Sequence, residues 1–300
     1  MALLDSKHRN QLLVRSSFFV PGTLLLIGLS VFPFIYAIVL SLFNWNIARP
    51  QWGIHFVSIK NYISLLQAAR FRHGIVTTFI ILGGSVALQL VLGIFVALLL
   101  TNKVKGIRII RALIILPTVV TPVVVGLLWL LLYKYDFGLI NFMVTKIGLS
   151  PVSWLTTIWG GRFALMIADT WQWTPFVTLV ILAGIMSIPR SMIEASKVDG
   201  TNSIQYFFYI MLPMIKPSIL VALLIRTIDG FRVFDKIYAI TKGGPGGATE
   251  TLSYYIYIRG FNNFEMGVAA AASIFFLIIV TIVVQIILKV FGADKLFVSR

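Results

Sequence analysis

Six long apolar runs dominate the chain, and each is long enough to cross a lipid bilayer as a helix. They lie at about 18–43, 75–101, 112–133, 163–187, 218–240 and 267–290. Because a spanning helix needs roughly 20 apolar residues, the pattern predicts six transmembrane helices. The first run is too long for the apolar part of a signal peptide and lacks a small-residue cleavage site after it, so we expect a true first span. Proline should bend two of the spans: the third at Pro117 and Pro122, and the fourth at Pro175.

Composition supports a membrane protein that crosses the bilayer several times. The 300 residues are 59% hydrophobic and only 12% charged, and the mean hydropathy is +0.95. There is no cysteine, and the three histidines are scattered, so we expect no metal site. The net charge of +15 is interpreted as a signal for membrane orientation and contact with anionic lipid, not with nucleic acid.

The distribution of Lys and Arg predicts the orientation. If the N-terminus is cytoplasmic, the cytoplasmic segments carry thirteen of these residues and the longer outer loops carry nine, which favours cytoplasmic termini. We therefore expect a cytoplasmic N-terminal segment at 1–17, a transmembrane domain at 18–291 and a cytoplasmic tail at 292–300. The longest cytoplasmic loop, 188–217, then joins the fourth and fifth spans.

This polar loop is predicted to hold two short helices separated by a glycine. Ser191 and Glu194 have the spacing of a capping box, so the first helix should run from near Ser191 to Asp199. Gly200 can supply the positive φ of a helix end, and residues 201–203 offer caps for the second helix.

The second helix of the loop is predicted to be amphipathic. Its apolar face combines Ile204, Phe207, Phe208 and Met211, at helical spacing. Pro213 and Pro217 should end it before the fifth span. The pattern alone leaves open whether such a helix rests on lipid headgroups or meets a protein partner.

A family resemblance favours the partner. Glu-Ala-Ser-x-x-Asp-Gly at 194–200, followed by Ile-x-Leu-Pro at 210–213, resembles the EAA segment of ABC importer permeases. The stretches ILPTVVTP, DTWQWTPF and FDKIYAITKGGPGGATETLSYYIY also resemble the maltose, trehalose and glycerol-phosphate branch of that family, and the likeness covers about 15–292. Ser196 stands where a second alanine is usual, which is a small-for-small change.

The resemblance implies an all-α integral membrane fold of the type I importer permease, with a coupling helix between helices 4 and 5. It also implies the first permease of a heterodimer in a bacterial inner membrane, with two ATP-hydrolysing subunits that bind ATP and Mg, an external solute-binding protein and a sugar substrate. No cofactor is expected in this chain. The residues implied to dock on an ATPase subunit are Glu194, Ala195, Ser196, Asp199 and Gly200.

Polar residues inside the spans are candidate substrate contacts, because charges at membrane depth usually face a cavity or a partner. Asp169, Gln172, Trp173 and Phe176 share one face of the fourth span. Carboxylate and amide groups can bind sugar hydroxyls, while aromatic rings can stack on a pyranose.

The fifth span carries charges of alternating sign every three residues: Arg226, Asp229, Arg232 and Asp235. They could form an internal ladder of ion pairs, which we prefer for Arg226 and Asp235, or line a cavity, which we prefer for Asp229 and Arg232. The resemblance implies that the family's sugar site corresponds to the following residues of this chain: Thr118, Asp169, Gln172, Trp173, Phe176, Asp229, Gly230 and Val233. Where the relative has neutral amides this chain has acids and Arg232, so a charged or strongly polar substrate is possible.

Other functions find less support in the sequence. No P-loop motif occurs, and the glycine-rich stretch 243–247 is interpreted as a turn. We expect neither a catalytic residue nor enzymatic activity in this chain. The leading alternative is an ion-coupled secondary sugar transporter that uses Asp169 and Asp229 as proton or sodium sites, although no internal repeat supports it. A purely structural scaffold would leave the acids inside the spans unexplained.

Overall fold

The computed structural model describes residues 19–101 and 106–292. The N-terminal segment predicted at 1–17, and the predicted tail apart from residue 292, lie outside the described residues. The described chain is helical apart from two very short strands, Phe43–Asn44 and His55–Phe56, which pair antiparallel.

The prediction of six spans is confirmed when each bent helix pair is counted as one span. Four helices are long and apolar enough to cross a membrane: Phe19–Ser41, Ala69–Leu100, Ile158–Met186 and Met266–Phe291. Two further pairs qualify together: Ile109–Val119 with Pro122–Leu132, bent by 95°, and Ser203–Met214 with Lys216–Phe231, bent by 64°. We call these six units the first to sixth spans in chain order. For the fifth unit the name fifth span is kept for Lys216–Phe231, and Ser203–Met214 is described with the loop after the fourth span.

Proline breaks the third span at one of the two predicted places. Val120 and Thr121 are extended, and Pro122 opens the following helix as its first residue, where its missing N–H is not needed. Pro117 lies inside the preceding helix without interrupting it. The fourth span likewise continues as one helix through Pro175.

The fifth span is shorter than predicted, because its helix ends at Phe231 and not near 240. The backbone N–H groups of Arg232 and Val233 turn back to the carbonyls of Asp229 and Gly230, at 3.0 and 3.2 Å. These tighter three-residue bonds close the helix. Residues 232–236 then leave the helical path before a π-helical turn at Ile237–Thr241.

The chain divides into two compact units, of which the first comprises residues 19–67 and 256–275 among those described. Here Asn61 donates hydrogen bonds to the carbonyls of Ser41 and Phe43, at 2.8 and 2.9 Å, and so ties the helix Lys60–Gln67 to the end of the first span. The side chains of residues 19–36 are exposed, as suits contact with lipid.

The second unit comprises residues 68–101, 106–255 and 276–292 among those described, and it contains the candidate site. The second and fourth spans pack closely because glycine removes side chains at their crossing: a Cβ on Gly93 would lie 2.6 Å from Val177. The glycine-rich stretch forms a turn, as predicted. Thr249 fastens it by donating to the Gly244 carbonyl at 2.7 Å, and Arg162 by donating to the Ala248 carbonyl at 3.0 Å.

The remaining helices are short and connect these elements. They are the 3-10 turn Pro50–Trp52, the helices Leu139–Lys146, Arg190–Val198 and Leu252–Tyr257, and the π-helical turn Ile258–Asn262.

Candidate functional site

A buried charge network occupies the middle of the second unit, with Asp169 of the fourth span at its centre. The side chain of Asp169 is almost fully buried and forms ion pairs with Lys236 and with Arg226, the latter at 3.2 Å. A carboxylate in a membrane-embedded bundle is strongly disfavoured unless it is paired. The two cations explain why the fourth span can carry Asp169.

Gln89 of the second span completes the network. Its Nε2 donates to Oδ2 of Asp169 at 2.7 Å, and its Oε1 accepts from Nε of Arg226 at 2.9 Å. We call Gln89, Asp169, Arg226 and Lys236 the charge network. It joins the second, fourth and fifth spans to the segment that follows the fifth span.

A polar cavity of about 250 Å³ lies beside the charge network. The cavity lies where the third and fifth spans leave their helical paths. Its lining residues are Pro122, Trp173, Arg226, Asp229, Arg232, Val233, Phe234, Asp235 and Lys236. The guanidinium of Arg226 lies 4.6 Å from the centre of the Trp173 ring, so one ring face is covered by a cation. Arg232 is exposed and Asp229 is partly exposed, so their charges are accessible.

The structure distributes the predicted substrate residues over two environments. Trp173, Asp229, Arg232 and Val233 line the cavity. Asp169 lies behind it in the charge network, and Gly230 packs against Leu82.

The other predicted residues make contacts within the bundle. Gln172 donates to the Val120 carbonyl at 2.8 Å, which satisfies a backbone group freed by the break in the third span. Thr118 bonds to the carbonyl of Ile115 in its own helix. Phe176 packs against the apolar cluster described below.

Sequence reasoning missed Gln89 and Lys236, and it placed Arg226 in a ladder along one helix. Arg226 does approach Asp229, at 3.7 Å, but its hydrogen bonds go to Gln89 and Asp169 on other spans. A charge count could have found Lys236. Residues 163–240 hold a balanced set if Lys236 is included: Asp169, Asp229 and Asp235 against Arg226, Arg232 and Lys236, once the loop residues 188–217 are set aside.

The loop between the fourth and fifth spans begins with an exposed helix, Arg190–Val198, which we call the docking helix. Its N-cap is Pro189, without a side-chain cap, so the capping box predicted at Ser191 and Glu194 is wrong: Ser191 lies inside the helix. Glu194, Ala195, Asp199 and Gly200 are exposed, whereas Ser196 is buried.

Gly200 ends the docking helix as predicted, with φ of +71°. The N–H of Gly200 bonds to the Lys197 carbonyl at 3.2 Å, and the N–H of Thr201 bonds to the Ser196 carbonyl at 3.0 Å. These paired bonds are those of a Schellman motif, which satisfies the last carbonyls of the helix.

The predicted cap of the next helix, Ser203–Met214, is Asn202. Its side chain accepts from the Gln205 N–H at 2.8 Å, and the Gln205 side chain accepts from the Asn202 N–H at 3.0 Å. A reciprocal capping box therefore exists in this loop, eleven residues after the predicted one.

The apolar face predicted for this helix is only partly correct. Phe207 and Met211 pack inward, but Ile204 and Phe208 are exposed, at 70% and 56%, and Tyr206 packs inward in their place. The reason is a π-helical turn over Tyr206–Met211. Its i→i+5 hydrogen bonding places residues five apart, such as Tyr206 and Met211, on one face.

The chain bends after Met214, and Ile215 is buried at the bend. Pro213 does not end the helix, contrary to the prediction, while Pro217 lies in the first turn of the next one. Ile215 and Met211 belong to an apolar cluster with Ile188 of the same loop. Its other buried members come from the second, fourth and fifth spans: Ala97, Leu100, Val177, Ile181, Leu182, Ile185 and Ala222. This apolar cluster connects the docking helix region to three spans.

Bent spans around a polar cavity, together with an exposed helix in the loop after the fourth span, define a membrane permease of the ABC importer type. The chain belongs to the family of binding-protein-dependent transport system inner membrane components, whose model matches residues 89–295. It is therefore a permease subunit located in an inner membrane.

Individual comparisons agree with this assignment. The trehalose/maltose transport system permease protein MalF of Thermococcus litoralis is 40% identical over 235 residues, which cover 78% of this chain and 79% of that protein. A chain of a bacterial ABC transporter involved in the import of the acidic polysaccharide alginate shares the fold, with a TM-score of 0.81 at 24% identity over 100% of both chains. A chain of a bacterial alginate ABC transporter in complex with an alginate pentasaccharide-bound periplasmic protein matches with a TM-score of 0.79 and 25% identity over 94% of both chains.

Proposed function

We propose that this chain is one of two homologous permeases in an ATP-driven importer, and that it carries a sugar or sugar-like solute from an external binding protein into the cytoplasm. The observation that carries the proposal is the polar cavity, which lies beside the break in the third span and the end of the fifth span. The relative from Thermococcus litoralis is named for trehalose and maltose transport, which supports a sugar as the solute.

The size of the cavity supports a shared site. Its volume of about 250 Å³ is below the roughly 300–1,000 Å³ of pockets that enclose a drug-sized ligand. A second permease facing Asp229 and Arg232 would complete the walls, because in this chain Arg232 is exposed and Asp229 is partly exposed.

The docking helix is proposed to receive the movement of an ATPase subunit. Glu194, Ala195, Asp199 and Gly200 would contact that subunit, while Ser196 is buried and its hydroxyl donates to the Ile193 carbonyl of the same helix at 2.8 Å. Both termini would then be cytoplasmic, in keeping with the distribution of Lys and Arg.

The path of coupling would run through the apolar cluster. Ile193 of the docking helix packs against the apolar cluster, in which Met211 and Ile215 meet residues of the second, fourth and fifth spans. A rigid movement of the docking helix would therefore tilt these spans together. Packed interiors move as bodies because they resist local compression. The interrupted segments at 120–121 and 232–236 would absorb the change of angle beside the cavity. ATP and Mg would bind to the partner subunits, and this chain would need no cofactor of its own.

The ion-coupled alternative, which uses Asp169 and Asp229 as proton or sodium sites, finds no support at the first of them. Lys236 and Arg226 both engage the Asp169 carboxylate. A second cation would have to displace a paired one.

Uptake by proteoliposomes tests the proposal. Vesicles containing the chain with its partner permease and ATPase subunits should import a labelled neutral sugar only with ATP on the ATPase side and the binding protein on the other. Import should persist when ionophores collapse proton and sodium gradients. Import that needs no ATP and stops with the ionophores would overturn the proposal.

A further inference from the structure

Arg226 is the cavity residue with the most fixed position. Its side chain is 1% exposed. Nε donates to Gln89, Nη2 donates to Asp169 at 3.2 Å, and the guanidinium plane lies over Trp173. These contacts fix the direction of the remaining nitrogen, Nη1.

Within the described parts of the chain, Nη1 of Arg226 has no hydrogen-bond partner, although it is buried. A buried charged donor left without an acceptor is unfavourable by about 1–3 kcal/mol or more. Arg226 lines the polar cavity, so an acceptor can reach Nη1 from there.

Asp229 provides an acceptor beside this donor. Its Oδ2 lies 3.7 Å from Nη1, which is beyond hydrogen-bond distance, and the Asp229 side chain is 43% exposed. A hydroxyl group can accept from Nη1 and donate to Asp229 at the same time, because it is both acceptor and donor. A carboxylate or phosphate can accept from Nη1 but is repelled by Asp229.

The charges that face the cavity also fail to favour an anion. Three cations line it: Arg226, Arg232 and Lys236. Two acids line it as well, Asp229 and Asp235, and Asp169 is paired directly behind. The sum is zero, so no net attraction draws in a charged ligand.

We propose that Arg226 and Asp229 form a hydroxyl-binding pair, and that the cavity selects uncharged sugars over sugars that carry a carboxylate, sulfonate or phosphate. This inference rests on the proposed function and adds the substrate class. It also decides between the two possibilities that the acids and Arg232 raised in the sequence. A cation and an acid together, Arg226 and Asp229, bind one hydroxyl group, and the cavity does not bind an ionic substrate.

Direct binding to the purified complex tests the inference without the selectivity of a binding protein. The complex, with both permeases and the ATPase subunits in nanodiscs, would be titrated with trehalose and maltose as neutral probes and with an alginate-derived uronate disaccharide as the anionic probe, read by saturation-transfer NMR. The wild type should bind a neutral probe at least about tenfold more tightly than the uronate, since one lost charge-assisted hydrogen bond accounts for such a factor. Equal or tighter binding of the uronate would overturn the inference, and so would no binding of either probe.

Two variants and a control separate recognition from folding. Asp229→Asn makes the sum of charges positive and should bind the uronate at least about tenfold more tightly than the wild type does, with weaker binding of the neutral probes. Arg226→Lys should lower neutral-probe affinity by about tenfold or more, because a lysine cannot keep the fixed fork. Arg72→Lys, which makes the same change at an exposed site away from the cavity, should bind as the wild type does.

If Arg226→Lys does not assemble, Asp229→Asn decides, and unchanged selectivity in Asp229→Asn overturns the inference. ATP-driven import of an anionic sugar alone would leave the proposed function intact while overturning this inference.

Discussion

Lys236 and Asp169 form a buried ion pair that joins the segment after the fifth span to the middle of the fourth. Both side chains are 3% exposed, and Arg226 binds the same carboxylate from the fifth span. The interrupted end of the fifth span is therefore tied to a continuous helix. This tie fixes one wall of the polar cavity, because Lys236 and Arg226 both line it.

Lys236→Met should strongly destabilise the protein. Removing one partner leaves Asp169 with less compensation in a buried site, and the loss of such a partner lowers the free energy of unfolding by about 3–5 kcal/mol. The double variant Asp169→Asn with Lys236→Met should recover part of this loss, because the uncompensated charge is gone. Thermal unfolding of the purified complex measures both effects. A double variant no more stable than Lys236→Met would contradict this interpretation of the pair.

Gln172→Met should weaken the third span at its break. The variant keeps the side-chain size but removes the N–H that the part-buried Val120 carbonyl accepts, and a typical hydrogen bond contributes about 0.5–1.5 kcal/mol. We expect a lower unfolding temperature and slower sugar uptake. Gln67→Met, on an exposed position, is the control. Equal unfolding temperatures for the two variants would show that the Val120 carbonyl does not depend on Gln172.

Gly200→Val should uncouple ATP hydrolysis from transport. The positive φ of Gly200 is unfavourable for a β-branched residue. A Cβ there would meet no atom of this chain within 4 Å, so within the chain the variant acts on the backbone. Gly200→Asn is the matched control, because Asn tolerates this conformation. The measurement is the stimulation of ATPase activity by the sugar-loaded binding protein. Stimulation should fall in Gly200→Val and persist in Gly200→Asn. Equal stimulation in the two variants would show that the backbone conformation at the end of the docking helix is not needed for coupling.

Asn202→Ala should loosen the start of the helix that follows Gly200. Loss of an N-cap of this type reduces helix stability by about 1 kcal/mol. The Gln205 side chain, which accepts from the Asn202 N–H, would also lose the second bond that holds the capping box together. Amide hydrogen exchange at Gln205, whose N–H donates to the Asn202 side chain, should become about fivefold faster or more. Asn202→Asp keeps the accepting oxygen and should retain protection. Unchanged exchange in Asn202→Ala would mean that the cap is redundant.

Local features of the docking region were predictable from the sequence where one residue type determines the backbone. Gly200 and Asn202 behaved as their types suggest, because a positive φ and a free helix N–H each have few solutions. Ser191 and Glu194 satisfied the same spacing rule without forming a cap, since the helix had already begun at Arg190. The exposed Ile204 and Phe208 show the limit of helical periodicity, because the π-helical turn altered the spacing.

The charge network was beyond local sequence patterns. Gln89 and Lys236 are 80 and 67 residues from Asp169 in the sequence, and only the packing of the second, fourth and fifth spans brings them together. The spacing of three along the fifth span suggested a ladder, yet Arg226 found shorter contacts on neighbouring spans. Family resemblance gave the architecture and the docking helix. The sequence placed Asp229 and Arg232 at the cavity, but it did not show that Arg226, Asp235 and Lys236 line the cavity as well.

In the proposed mechanism, movement of the docking helix tilts the second, fourth and fifth spans and so gives a sugar access to the cavity beside the charge network. The most direct measurement is ATP-dependent sugar uptake by proteoliposomes containing the assembled complex, with and without residues 194–200. The deletion should abolish uptake while the two permeases still fold and pair with each other. Uptake at the wild-type rate after the deletion would contradict it.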